Sequence, residues 1–148
     1  MEEKANILVI DDEMGVRESL KMILKPYYNV YMADSGGQAI GLLRQLPVDL
    51  VTLDLKMPGL SGSEILEIIK QQRSEIEAII ITGYGSMNTA IEGLRLGAFD
   101  YIAKPFDANH LLDLVRHALE RSRASSELKK EKEAERRRAE KAEEMNRL

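Results

Sequence analysis

Five short apolar runs alternate with helical patterning along the chain. NILVI (6–10), VYMA (30–33), DLVTLDL (49–55), EAIIIT (77–82) and FDYIA (99–103) are rich in Val, Ile, Leu and Tyr and predict strands. The first, third and fourth are nearly continuous in apolar residues, the pattern of parallel strands covered on both faces. Between them, 14–25, 36–46, 63–73 and 87–96 carry apolar residues at helical spacing. Ile65, Leu66, Ile68 and Ile69 make one such face, and Met87, Ala90, Ile91 and Leu94 another. Pro26, Pro47 and the Gly59/Gly62 pair mark segment ends. Strand and helix alternating at this spacing predict an α/β fold, a (βα)5 doubly wound parallel sheet of five strands.

A fifth helix is expected from about Asp107, with Leu111, Leu112, Leu114, Val115, Ala118 and Leu119 packed on the sheet. It has no evident stop. Neither Pro nor Gly follows, and 127–148 is built largely from Glu, Lys, Arg and Ala. Pairs such as Glu133–Arg137 and Glu143–Arg147 stand in the favourable helical order. The candidate coiled-coil seam is poor, because Lys132 and Glu135 interrupt it. The chain therefore divides into a body, 1–121, and an extended C-terminal helix, 122–148, acting as a charged helical linker or a weak coiled-coil tail.

Composition narrows the chemistry. The 148 residues are 44% hydrophobic, enough for one core, and the absence of cysteine excludes disulfides and thiolate chemistry. Residues 1–10 do not have the basic-then-apolar pattern expected of a signal peptide, and no apolar run reaches the roughly 18 residues needed to cross a bilayer. A cytoplasmic protein with no membrane contact is expected. Residues 1–120 hold 18 acidic and 11 basic side chains, whereas 121–148 hold 7 and 10. An acidic body argues against nucleic-acid contact and suits a cation ligand.

In an open parallel α/β sheet, ligands bind outside the carboxyl ends of the strands. With strand order 2-1-3-4-5 (flavodoxin-like), those ends carry Asp11 and Asp12, Asp54, Thr82 and Lys104. Each has a plainer reading alone: Asp12 as a helix cap, Asp54 as a loop acid, Thr82 as a backbone-bonding hydroxyl, Lys104 as a solvated cation. Together they suit phosphoryl transfer onto a carboxylate, where catalysis is positioning and electrostatics. Asp54 would be the nucleophile, Asp11 and Asp12 would recruit Mg²⁺, Lys104 would pair with a phosphoryl oxygen, and Thr82 would donate to another. Glu13 is expected to be only a first-turn acid favoured by the helix dipole. His110 and His117, seven residues apart, do not have two-histidine metal spacing. TGYGS lacks the Gly-Lys-Ser/Thr that a phosphate-cradling P-loop requires.

LVIDDE (8–13), DLVTLDLKMPGLSG (49–62), IIITGYGS (79–86) and GAFDYIAKPF (97–106) resemble, in order and spacing, the signature blocks of bacterial two-component response regulator receiver domains. The last block is similar to receivers of the nitrogen-regulation class, which often precede ATPase and DNA-binding domains. The resemblance covers about residues 4–121. It implies that Asp54 is the phosphoacceptor, that Asp11, Asp12, Asp54 and the Lys56 backbone carbonyl hold Mg²⁺, and that Thr82 and Tyr101 are the switch pair. It also implies a cis peptide before Pro105, and places Lys56 and Tyr84 where relatives tune phosphoryl lifetime. The implied activity is that of a signalling domain, not an enzyme proper, which assists its own phosphorylation and slow dephosphorylation. The implied partners are a sensor histidine kinase and a second copy, through the helix 4–strand 5–helix 5 face or the C-terminal helix. Two other readings stand beside it: an interaction module acting through its tail, and a haloacid-dehalogenase-type phosphohydrolase. The hydrolase expects an Asp two residues after the nucleophile, where this sequence has Lys56.

Overall fold

The structure, a computed structural model, describes residues 3–83 and 87–147; Tyr84 lies outside them. Strands β1 (Asn6–Ile10), β2 (Asn29–Ala33), β3 (Leu50–Leu53), β4 (Glu77–Thr82) and β5 (Asp100–Ala103) alternate with helices α1 (Met14–Leu24), α2 (Gly36–Gln45), α3 (Gly62–Gln72), α4 (Met87–Arg95) and α5 (Ala108–Asn146). The strands form one sheet in the order β2-β1-β3-β4-β5, every neighbouring pair parallel.

The near-continuous apolar strands follow from burial on both sheet faces. Leu8 and Ile10 of β1 join one core with Ile80, Ala39, Ile65 and Leu66. Ile7 and Val9 join the other with Ile79, Ile81, Leu20, Leu24, Leu111 and Val115. Successive strand residues point to opposite faces, so each face needs its own apolar set. Helices α1 and α5 cover one face; α2 and α3 cover the other, with α4. Ser35, Ser61 and Asp107 cap α2, α3 and α5 by accepting from Gln38, Glu64 and His110 N–H. No helix among the described residues is long and apolar enough to cross a membrane.

Helix α4 differs from its sequence pattern. It buries Ala90 and Gly93, while Met87, Ile91 and Leu94 are 55%, 41% and 37% exposed. A Cβ on Gly93 would overlap Ile80 Cδ1, so the helix approaches the sheet through its small residues and turns the bulky ones outward.

At the amino end of the sheet, Glu77 is only 3% exposed, yet charged partners reach it. Arg121 Nη2 lies 2.5 Å from its carboxylate and Lys70 Nζ 4.0 Å, while the Arg121 guanidinium sits 4.8 Å above the Phe99 ring. The buried Ser122 hydroxyl donates to the carbonyls of Glu75 (2.6 Å) and Asp49 (3.3 Å), and Lys129 Nζ is 3.8 Å from Glu75. Contacts between α5 and the body thus continue beyond residue 121. Farther out, Arg136 pairs with Glu133 and Glu140 along the exposed helix.

Two substitutions test this packing. Thr52 Oγ1 is buried in mid-strand without a hydrogen-bond partner among the described residues. Thr52→Val, of similar shape, should raise unfolding free energy by about 1 kcal/mol in urea titrations. A Cβ on Gly62 would lie 2.5 Å from the Asp54 carbonyl oxygen. Gly62→Ala should therefore destabilise the protein by about 1–3 kcal/mol in the same assay.

Candidate functional site

Strand order reverses between β1 and β3, and here the two central aspartates meet. Asp11 and Asp54 extend the ladders by one bond: Asp11 N–H donates to Ala33 O and Asp54 N–H to Ile10 O, each at 3.1 Å. Both side chains then form the same local turn. Asp11 Oδ1 accepts from Glu13 N–H at 2.8 Å, and Asp54 Oδ1 accepts from Lys56 N–H at 2.9 Å. In each residue the other carboxylate oxygen remains for the site.

Lys104 faces those oxygens. It follows β5, and its N–H donates to Thr82 O at 2.7 Å. Its Nζ lies 3.2 Å from Asp11 Oδ2, 3.4 Å from Asp54 Oδ2 and 3.7 Å from Glu13 Oε1. The peptide between Lys104 and Pro105 is cis. Burial alone would push the ammonium pKa down, but the carboxylates of Asp11, Asp54 and Glu13 outweigh it and hold Lys104 above its ordinary value. Asp11 is also raised. Its burial is the largest cause, with Asp54 repulsion adding to it, and the Glu13 N–H and Lys104 only partly oppose them.

The donor set fits a hard cation. One oxygen each from Asp11, Asp12, Glu13 and Asp54 can be drawn within 4.8 Å of one another. Asp11 Oδ2 is buried and, although Lys104 is near, lacks a hydrogen bond of acceptable geometry. A buried carboxylate oxygen in that condition is a natural ligand for a divalent ion that keeps several waters. Asp12 is exposed at the mouth and is not a helix cap: that position falls to Glu13, whose side chain makes no capping bond. Glu13 is therefore more than a first-turn acid, since its carboxylate belongs to the Lys104 group.

The remaining candidates are arranged around this cluster. Thr82, buried, ends β4 in register with Ala103. Tyr101 is half-buried on β5, in register with Ile80 and packed on the core that α2 and α3 cover. Lys56 has an exposed side chain, and its backbone amide holds Asp54. His110 and His117 are both exposed on α5. One neighbour escaped the sequence reading: Arg17 donates from Nη1 to the Asp11 carbonyl at 2.7 Å. Its only sequence trace was a basic residue four places after Glu13, at the start of a helix.

Because the folded state binds the Asp11 proton more tightly than the unfolded chain, stability falls as pH rises through the Asp11 titration. The penalty is fully present above the folded pKa and vanishes below the unfolded one. In metal-free protein Asp11→Asn should raise the melting temperature at pH 7. The gain over wild type should shrink as the pH is lowered toward 4, which paired thermal melts would measure.

Residues 7–116 match the response regulator receiver domain family. Sporulation initiation phosphotransferase F of Bacillus subtilis is 39% identical over 114 residues, covering 76% of this chain and 92% of that protein. The response regulator protein FleR of Pseudomonas aeruginosa is 37% identical over 117 residues, 78% of this chain. That stretch is 25% of FleR, so the chain spans about a quarter of the length of this relative. Among solved structures, a receiver domain protein from Clostridium thermocellum superimposes with TM-score 0.77 at 35% identity, covering 81% of this chain and 98% of that one. NtrX from Brucella abortus, in complex with ATP, gives 0.80 at 34% identity over 85% of this chain and 29% of its own. The five-stranded order, the paired aspartates with their lysine and the family match over most of the sequence lead to one conclusion: the chain belongs to the response regulator receiver domain family.

Proposed function

We propose that the protein is a phosphorylation switch of a two-component system, with Asp54 accepting a phosphoryl group from the phosphohistidine of a sensor kinase. The observation that carries this reading is the Lys104 ammonium held between the free oxygens of Asp11 and Asp54. A carboxylate oxygen of Asp54 attacks phosphorus, the P–N bond to the kinase histidine breaks, and the imidazole leaves with the bonding pair. Bound Mg²⁺, held by Asp11, Asp12, Asp54 and the Lys56 carbonyl, would neutralise charge on the phosphoryl oxygens. As Asp54 becomes an acyl phosphate, Lys104 exchanges a carboxylate partner for a phosphoryl oxygen, and the Thr82 hydroxyl donates to another. The Lys56 amide keeps the Asp54 side chain aimed throughout.

Conversion of the Asp54 carboxylate to an acyl phosphate replaces one negative charge by about two at the end of β3, and its acceptor oxygens favour a state in which Thr82 is drawn toward the phosphoryl group. Tyr101, already half-buried, then turns further inward, and the α4–β5–α5 surface changes shape. The solvent-facing Met87, Ile91 and Leu94 of α4 give that surface apolar contacts for a partner or second copy. Lys56 and Tyr84 would set the lifetime of the acyl phosphate by governing access of water. A hydrolase reading finds no acid at position 56, whose side chain is a solvent-exposed lysine.

Incubation with acetyl phosphate and Mg²⁺ should add one phosphoryl group by intact mass spectrometry, labile in hydroxylamine. Asp54→Asn should abolish the addition, and Lys104→Met should slow it about 100-fold, the scale for losing one preorganised charge-stabilising donor. Unchanged labelling of Asp54→Asn would place the acceptor elsewhere.

A further inference from the structure

Asp11 is the point at which the buried β1 line turns out to solvent, since Asp12, Glu13 and Met14 are all exposed. Its N–H still pairs with β2 through Ala33, but the neighbouring β3 ladder is already occupied one residue earlier, where Ile10 O accepts from Asp54. The Asp11 carbonyl lies past the last rung. A main-chain carbonyl of a residue only 1% exposed needs a donor, and Arg17 supplies it from Nη1 at 2.7 Å, a charge-assisted bond.

That bond closes a ring. Arg17 N–H donates to Glu13 O at 3.1 Å, Glu13 N–H donates to Asp11 Oδ1 at 2.8 Å, and the Arg17 guanidinium returns to Asp11 O. Main chain, side chain and first helical turn are thereby locked around one carboxylate. Oδ2 is the only oxygen of Asp11 outside the ring. Arg17 makes no ion pair among the described residues, although the carboxylates of Asp12, Glu13 and Asp54 cluster with that of Asp11. Its bond to Asp11 goes to the main chain and consumes none of the acidic oxygens.

We propose that Arg17 is the positioning residue of the cation site: by clamping the Asp11 carbonyl it aims Asp11 Oδ2 and holds the β1–α1 turn in its cation-binding form. The inference rests on the acidic cluster being a Mg²⁺ site, as proposed above. Two physical effects of Arg17 have opposite signs, which makes the proposal decidable. As a mere positive charge it would repel Mg²⁺, and its removal would tighten binding. As a clamp it preorganises a ligand, and its removal would loosen binding about 10-fold, the lower end for losing a group that orients a metal ligand.

Mg²⁺ titration calorimetry on the full chain, with MgCl2 alone as probe, separates these. Arg17→Met keeps the apolar stem and removes the donors; it should bind Mg²⁺ about 10-fold more weakly. Arg17→Lys, which keeps one donor and the charge, should recover most of the loss; should Arg17→Met fail to fold by circular dichroism, Arg17→Gln, neutral and too short to span the contact, takes its place with the same expected weakening. With acetyl phosphate, the Mg²⁺ midpoint of Arg17→Met should move while the rate at saturating Mg²⁺ stays near wild type. Asp11→Asn is the control for the site itself. Undiminished binding in Asp11→Asn would overturn the Mg²⁺ reading, and this inference with it. Weakened binding in Asp11→Asn with equal or tighter binding in Arg17→Met would overturn the clamp alone.

Discussion

Asp11 and Asp54 directly follow adjacent parallel strands, which brings their backbones to about one inter-strand spacing, roughly 4.8 Å. Two carboxylates so close and so little exposed repel each other. Lys104 offsets this, but it comes from the end of β5, beyond β4, on the far side of β3. The charge balance therefore exists only when β1, β3, β4 and β5 have all assembled. Sheet order and the turn geometry of both aspartates together bring this balance about.

Asp11 is held by three bonds, to Ala33, Glu13 and Arg17, while its Oδ2 lacks one. Asp54 differs, because its Oδ2 finds Lys104 at 3.4 Å. A rigid support carrying under-satisfied oxygen ligands is what a site for a hard cation and an incoming phosphoryl group requires. The two apolar cores on either side of the sheet support this rim.

Much of this was written locally in the sequence. Apolar runs gave β1 and β4 with their observed bounds, because strands buried on both faces have no polar positions to blur them. The third run overran, since Asp54 belongs to the turn closed by Lys56 and not to the strand. Helix α4 misled through size: spacing identifies an apolar face, but the close approach of Gly93 to Ile80 decides which residues face inward. Asp11, Asp12, Asp54 and Lys104 were legible because each stands at a strand end. Arg17, Glu77 and Ser122 were not. Their partners are main-chain carbonyls or side chains at a distance, such as Arg121 44 residues after Glu77, and such pairings leave no periodic trace.

The clasp of Arg121, Ser122 and Lys129 on Glu77, Asp49 and Glu75 gives α5 the mechanics of a lever. From Lys129 to Asn146 the helix continues as an overhang of roughly 25 Å at 1.5 Å per residue. The clasp is the fulcrum, and the short arm packs on the sheet that carries the aspartates. A tilt of about 10° at the fulcrum displaces the tip by roughly 4 Å over a 25 Å arm. A change of contacts within the clasp is thus expressed at the far end on the scale of a side-chain contact.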